Sequence, residues 1–516
     1  MYVVFPASPA FHSLPGPHCG ALQQLPDSIA VLLPRLRELT VARCEALEEL
    51  PEGVCSLKHL ETLSVIECDQ FRCLPDNIGR LSALTTLHLD HLTLASLPDS
   101  ICQLSSLETF FLLSCDSIEL PADLCYLTAL TTLCLGVNAA LPADIGRLSN
   151  LHTLLLRESM SLRHLPRSLS EIASLTRLEL HACDVEELPE GVGSLSNLRE
   201  LHVSSCCELT ALPASVTCLT ALEALSLANC ENLASVPTRL DGLTRLKRLE
   251  VARCDMLTRP PLVLPASIEW LRWGGYRQAT PLPDVSILTG LRTLRLDIVA
   301  VACGVAVSRS LSHVEHLHMS LGGDAEEIPL ALTFLSHLRT LVIECAWSLQ
   351  RLPADIGSAL PQLRKLKLAN ADELRELPAS VTALQHLTSL GVHDAPNLVS
   401  LPPAIGALSR LRELLIGSCK QLEHLPASLT QLTRLNQLSI TNCPIRSLCP
   451  TAAQFQWLKS LNLSGCVQLK ALPWDLGEVK ALRVLNVDDC RLVKDMDGYV
   501  VPWSIYEVYG LRLFLG

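Results

Sequence analysis

Aromatic residues are scarce in this sequence. Six tryptophans, six tyrosines and eight phenylalanines make up 4% of 516 residues, although 49% of the chain is apolar. A core assembled from Leu, Ala, Val and Ile favours many small, repeated packing units, and the length already exceeds the roughly 250 to 300 residues at which one compact core stops growing. Positive charge is short as well. With 41 Lys and Arg against 53 Asp and Glu, the net charge of −12 excludes an electrostatic footprint for nucleic acid or an anionic membrane, and a partner with a basic surface suits the chain better. No uninterrupted apolar run reaches the roughly 18 residues of a membrane-spanning helix. The opening MYVVFPASPAFHSLPGPHC has four prolines and no basic start, unlike a secretory signal. Catalytic signatures are missing too: no G-x-x-x-x-G-K-[ST], H-E-x-x-H, G-x-S-x-G or kinase loop set occurs. The chain is therefore expected to be non-enzymatic, without a cofactor, and cytoplasmic or nuclear.

What is present is one phrase, repeated. Proline recurs at 26, 51, 75, 98, 121, 142, 166, 189, 213 and 237, and again at 329, 353, 378, 402, 426, 450 and 473, mostly 23 to 25 residues apart. Between the prolines runs L-x-x-L-x-L-x-x-C, as in LRELTVARC ending at Cys44 and LRELHVSSC ending at Cys206. This is the leucine-rich repeat, with twenty copies of its L-x-x-L-x-L core between Leu36 and Leu482. The L-x-L alternation predicts a short strand with leucines inward and the intervening residues outward. The following Leu-Pro cannot extend a ladder and turns the chain into a short helix or 3₁₀ segment. The predicted fold is therefore an α/β leucine-rich-repeat solenoid, a curved horseshoe or arc with a parallel sheet on its concave face and short helices or 3₁₀ segments on its convex face.

Eleven of the 22 cysteines, at 44, 68, 115, 183, 206, 230, 254, 419, 443, 466 and 490, end the phrase. There a thiol packs as a small hydrophobe and weak donor to backbone carbonyls. The stacking of Cys183, Cys206, Cys230 and Cys254 follows from the repeat period and needs no metal, and no C-x-x-C occurs. So many thiols indicate a reducing compartment. His316 and His318, two apart on one strand in SHVEHLHMS, have metal-ligand spacing. No carboxylate sits in matching register, so no metal is expected.

The outward strand positions supply the candidate partner-binding residues: Arg177, Glu179, His181, Glu200, His202, Arg248, Glu250, Trp270, Arg272, Arg295, Asp297, His316 and His318. Mixed charge with Trp and Arg is the composition enriched at binding hot spots. Repeats four to six are blander there, with Thr109, Phe111, Thr132 and Leu155. The stretch ASIEWLRWGGYRQATPLPD keeps the phrase in register, with Trp273 in an inward leucine place and Trp270 outward. It reads either as a drifted repeat or as a partner-contact site. Around it the Leu-Pro signal fades, which divides the chain into a degenerate first repeat or truncated cap (1–20), regular repeats (21–257), irregular repeats (258–328), regular repeats (329–490) and a C-terminal cap (491–516).

LPDNIGRLSALTTLHL and LPADIGRLSNLHTLLL resemble the repeats of plant intracellular nucleotide-binding leucine-rich-repeat disease-resistance proteins. They are also similar to free-standing intracellular leucine-rich-repeat scaffolds of Ras-type signalling. The Gly-x-Ile-Pro element usual in plant receptor kinase ectodomains is missing. The resemblance implies a sensing and regulatory role in defence, with a protein partner: a pathogen molecule, a host protein, or an upstream domain of the same protein. Nucleotide binding is not carried over, because no nucleotide-binding domain precedes residue 20. The alternatives are the Ras-type scaffold and the substrate-recognition subunit of a ubiquitin ligase.

Overall fold

The computed structural model describes residues 22–115, 118–137, 139–257, 259–275, 280–297, 299–300, 309–322, 325–328, 332–449, 451–492 and 512–514. Residues 1–20 and most of 491–516, where a first repeat and a terminal cap are expected, lie outside the described residues, as does Tyr276. The chain divides into two units, Met1–Ile268 and Glu269–Gly516, each a leucine-rich-repeat solenoid.

In the first unit ten strands, from Glu38–Ala42 to Arg248–Ala252, pair in parallel, each with the strand of the next repeat. Alternation decides which side chains go in. Leu39, Leu63, Leu87, Phe110, Leu133, Leu154, Leu178, Leu201, Leu225 and Leu249 share one register column and are buried. Each such side chain contributes about 1.5 to 3 kcal/mol by leaving water. The Leu-Pro turns behave as their chemistry dictates. Pro51 and Pro213 are extended, at φ −69°, ψ 151° and φ −66°, ψ 148°, and the five-residue 3₁₀ segments Glu52–Ser56 and Ala214–Cys218 follow them.

The second unit repeats the scheme in the strands Trp270–Gly274, Thr293–Asp297, His316–Ser320, Thr340–Glu344, Lys365–Ala369, Ser389–His393, Glu413–Gly417, Gln437–Thr441, Ser460–Asn462, Val484–Asn486 and Arg512–Phe514, again in parallel register. Before Leu332–Phe334 the unit has no 3₁₀ segment among the described residues. An additional pair of two-residue strands, Thr280–Pro281 and Val299–Ala300, forms there instead.

The end of each strand shows why cysteine recurs. The residue before the final position is left-handed in repeat after repeat: Arg43, Glu67, Ser114, Ala182, Ser205, Asn229, Arg253, Ser418 and Asn442 have φ between 48° and 57°. A left-handed non-glycine residue is unfavourable, but its amide is satisfied by the next repeat, as in Ser205 N to Ala228 O at 2.8 Å and Asn229 N to Ala252 O at 2.9 Å. This turn drives the following side chain inward. Ten of the eleven phrase-ending thiols are buried, and Cys490 is half-buried. Several donate to carbonyls of the preceding repeat, as Cys183 Sγ to Leu156 O at 3.5 Å and Cys466 Sγ to Ile440 O at 3.1 Å, and others to their own strand, as Cys443 Sγ to Thr441 O at 3.2 Å. Where Ser159 takes the place, its hydroxyl is buried without a partner.

Candidate recognition surface

The outward strand positions of the first unit form three columns. In the first, Thr62, Thr86, Thr109, Thr132 and Thr153 stand in register before Arg177 and Glu200. In the second, His88, Phe111, Cys134 and Leu155 precede Glu179 and His202. His88 tilts against Phe111, with ring centroids 5.3 Å apart. From Thr62 onward these two columns thus change from threonine and mostly apolar residues to charged ones at the strand Arg177–His181.

There Glu179 is clamped from two sides, by Arg157 Nη2 at 2.9 Å and Arg177 Nη2 at 2.9 Å. Burial opposes its charge, but the Arg177 hydrogen bond and the nearby Arg157 prevail and hold its pKa below the ordinary value. Arg177 also reaches Glu200 Oε2 at 2.8 Å, and Glu200 meets His202 Nε2 at 3.4 Å. His181 Nδ1 shares a 2.8 Å hydrogen bond with Ser204 Oγ, and Ser226 Oγ donates to Glu250 Oε2 at 2.8 Å. The structure therefore brings Arg177, Glu179, Glu200 and His202 into one network. His181 and Glu250 each pair with a serine, and Arg248 is exposed on the outer column. Arg157, Ser204 and Ser226 stand in the same outward columns and join these contacts, although they are not among the residues expected from the sequence.

In the second unit the two tryptophans of the WLRW stretch separate cleanly. Trp273 sits opposite Leu296 and is completely buried, whereas Trp270, opposite Thr293, is half-buried on the outward face. Gly274, at φ 142°, lets the strand end pass the Asp297 backbone, which a Cβ would strike. Arg272 is not a simple exposed anchor. Its Nε donates to Asp297 Oδ2 at 2.6 Å, Arg295 Nε donates to Oδ1 at 3.3 Å, and Asp297 is only 6% exposed. Arg272 therefore also holds the nearly buried Asp297, so its replacement would disturb the fold as well as the surface. His318 Nε2 meets Glu344 Oε2 at 2.9 Å, and Lys367 Nζ takes the other oxygen at 3.1 Å. Burial, then Arg295, lowers the His318 pKa. His316 bonds Thr340 Oγ1 at 3.0 Å instead of turning toward a shared metal position. Among the described residues no three His, Cys, Asp or Glu side chains are grouped to hold a metal ion.

A groove lies away from this face. It has a volume of about 900 Å³ at the Leu-Pro turns, lined by His164, Arg167, Glu187 and Glu190, and a groove of about 560 Å³ repeats the same positions at Glu49, Glu52 and Asp76. This is the shape of the repeat and singles out no site. Among the described residues no helix is long and apolar enough to cross a membrane.

The comparison with protein families agrees with the fold. Residues 27–140 and 143–259 match the leucine-rich repeat region family. No curated protein matches. Among solved structures, a leucine-rich-repeat protein of Leptospira interrogans shares 18% identity over 96% of this chain and 94% of its own, with a TM-score of 0.37. The ectodomain of the plant receptor kinase GASSHO1/SCHENGEN3 from Arabidopsis thaliana, in complex with CASPARIAN STRIP INTEGRITY FACTOR 2, shares 18% over 92% and 74%, with a TM-score of 0.39. The functional domain of InlJ from Listeria monocytogenes, described as including a cysteine ladder, shares 20% over 70% and 67%, with a TM-score of 0.44.

Proposed function

We propose that this leucine-rich-repeat protein is a non-catalytic recognition module that binds a protein partner on its outward strand face. One observation carries the reading: over a uniform buried scaffold, the outward columns change from threonine and small residues to the Arg177–Glu179–Glu200–His202 network in the first unit, and to Trp270, Arg295 and His318 in the second. Such networks hold charged side chains in fixed positions, which favours specificity for a complementary surface. We further place the module in plant-type defence signalling, as the sensing and regulatory part of a disease-resistance protein. The repeats LPDNIGRLSALTTLHL and LPADIGRLSNLHTLLL support that assignment. The partner is a pathogen molecule, a host protein or a switch domain of the same protein, met in the cytoplasm or nucleus. The twenty free cysteines among the described residues favour such a reducing compartment. The test compares partner capture by the wild-type chain, by Glu179→Ala/His202→Ala/Trp270→Ala, and by Arg167→Ala/Glu190→Ala on the turn row. The first variant should lose more than about 1 kcal/mol of binding, the threshold for a hot spot, and the second should lose none. Equal binding by all three overturns the reading.

A further inference from the structure

Six strands of the second unit, from Trp270–Gly274 to Ser389–His393, reverse the charge of the chain. Their outward positions hold Arg272, Arg295, Lys365 and Lys367 against the carboxylates Asp297 and Glu344, in a protein whose net charge is −12. The outward columns of the first unit have the opposite balance, Arg157, Arg177 and Arg248 against Glu38, Asp90, Glu179, Glu200 and Glu250.

The cations are also placed at a cost. Arg272 lies directly opposite Arg295, and Arg295 opposite His318, and like charges in opposed strand positions destabilise a sheet. Asp297 offsets the arginine pair from below. Being 6% exposed, it presents almost none of its charge to solvent. At the far end Lys365 is exposed, while Lys367 shares Glu344 with His318. What solvent meets along this strip is therefore Arg295, Lys365 and Lys367 against a single exposed carboxylate, Glu344, with Trp270 at one end.

We propose that this strip receives an acidic polypeptide segment of the partner, whose carboxylates meet Arg295, Lys365 and Lys367 while Trp270 packs against its end. The inference rests on the reading that the strand face is the recognition surface, and names what it recognises. From Trp270 to Lys365, four strand spacings of about 4.8 Å give a strip roughly 19 Å long, the reach of about six extended residues. A nucleic acid strand fits less well. Trp270 is the one tryptophan, tyrosine or phenylalanine at these outward positions on which a base could stack.

The experiment is fluorescence anisotropy of the full chain with dye-labelled octaglutamate, a dye-labelled eight-nucleotide single-stranded DNA and unlabelled octalysine, at low and high salt. Octaglutamate should bind, salt should weaken the complex, and unlabelled octalysine, drawn to the acidic remainder of the chain, should not take its site. Lys365→Glu should reduce octaglutamate affinity at least tenfold. Lys420→Glu, the same charge change at an exposed residue off the strand face, should leave it within twofold. Lys365→Ala gives a second reading if Lys365→Glu fails to fold. No octaglutamate binding, equal losses in the two glutamate variants, or tighter binding of the DNA overturns the inference. If a partner held by the strand face is not displaced by octaglutamate, the acidic segment is wrong and the recognition reading stands. If octaglutamate binds as expected but the partner ignores every strand-face substitution, the recognition reading fails by itself.

Discussion

Trp270 and Trp273 are three residues apart and should fail in different assays. Trp273 occupies an inward leucine place and is 0% exposed. A buried tryptophan removes about 150 to 250 Å² from water, which at about 25 cal/mol per Å² corresponds to roughly 4 to 6 kcal/mol. Large-to-alanine replacements in packed cores cost about 3 to 5 kcal/mol once partial collapse of the cavity is included, so Trp273→Ala should fall in that range. In a solenoid each repeat leans on its neighbours. Amide exchange should therefore rise first in the paired strand Thr293–Asp297. Trp270→Ala, on the half-buried outward side, should cost less than about 1.5 kcal/mol because water already reaches the ring. Urea denaturation followed by circular dichroism compares the two variants with wild type. A Trp273→Ala chain within about 1 kcal/mol of wild type, or a Trp270→Ala chain equally destabilised, would refute the register from which both roles are derived.

Asp297→Ala should destabilise the protein by about 2 to 3 kcal/mol in the same assay, less than for a fully buried pair because Arg295 is a third exposed. Adding Arg272→Leu should recover part of that loss; no recovery contradicts the proposed repulsion between the arginines. Ser159→Cys should gain about 1 kcal/mol by replacing a buried hydroxyl that lacks a partner, and Cys230→Ser should lose about 1 to 3 kcal/mol. Contact with Cys183, then burial, raises the Cys206 pKa, so Cys206 should resist a thiol reagent until denaturant is added; rapid native labelling argues against the buried turn. Burial lowers the pKa values of His88, His318 and His393 below the ordinary 6.5, with Arg295 adding to the effect at His318 and Lys367 at His393. The unfolded chain then binds more protons as pH falls below that value, so stability falls too. The melting temperature should be lower at pH 5.5 than at pH 7.5, and His318→Gln should narrow the gap. A gap that His318→Gln leaves unchanged assigns the pH dependence to other groups.

Much of the fold was legible because the period-two pattern and the Leu-Pro turn are local signals. Leu201 and Val203 had to face inward once Glu200 and His202 faced out, and Pro213 could only end the pairing. The recurrent left-handed residue was not legible. Arg43, Glu67 and Ala182 share no side-chain chemistry that marks such a turn, and the conformation is set by the neighbouring repeat through backbone hydrogen bonds. For the surface, the sequence identified the outward residues but not their partners. Spacing along one strand placed Arg272 outward, while its tie to Asp297 depends on side-chain direction across two repeats. Glu344 and Lys367 completed the His318 cluster from strands beyond the stretch first read, although they occupy the same columns. Trp273 was the clearest success: an inward leucine place remained inward even when filled by the largest side chain.

Site-specific photocrosslinking tests the recognition surface most directly. Benzoylphenylalanine is placed at Thr293, between Trp270 and His316 in the outward column, and separately at Arg167, in the 3₁₀ segment that follows Pro166. Illumination with the captured partner should give a covalent adduct from position 293 and none from position 167. An adduct from Arg167 with nothing from Thr293 would contradict the account and move recognition to the turn row.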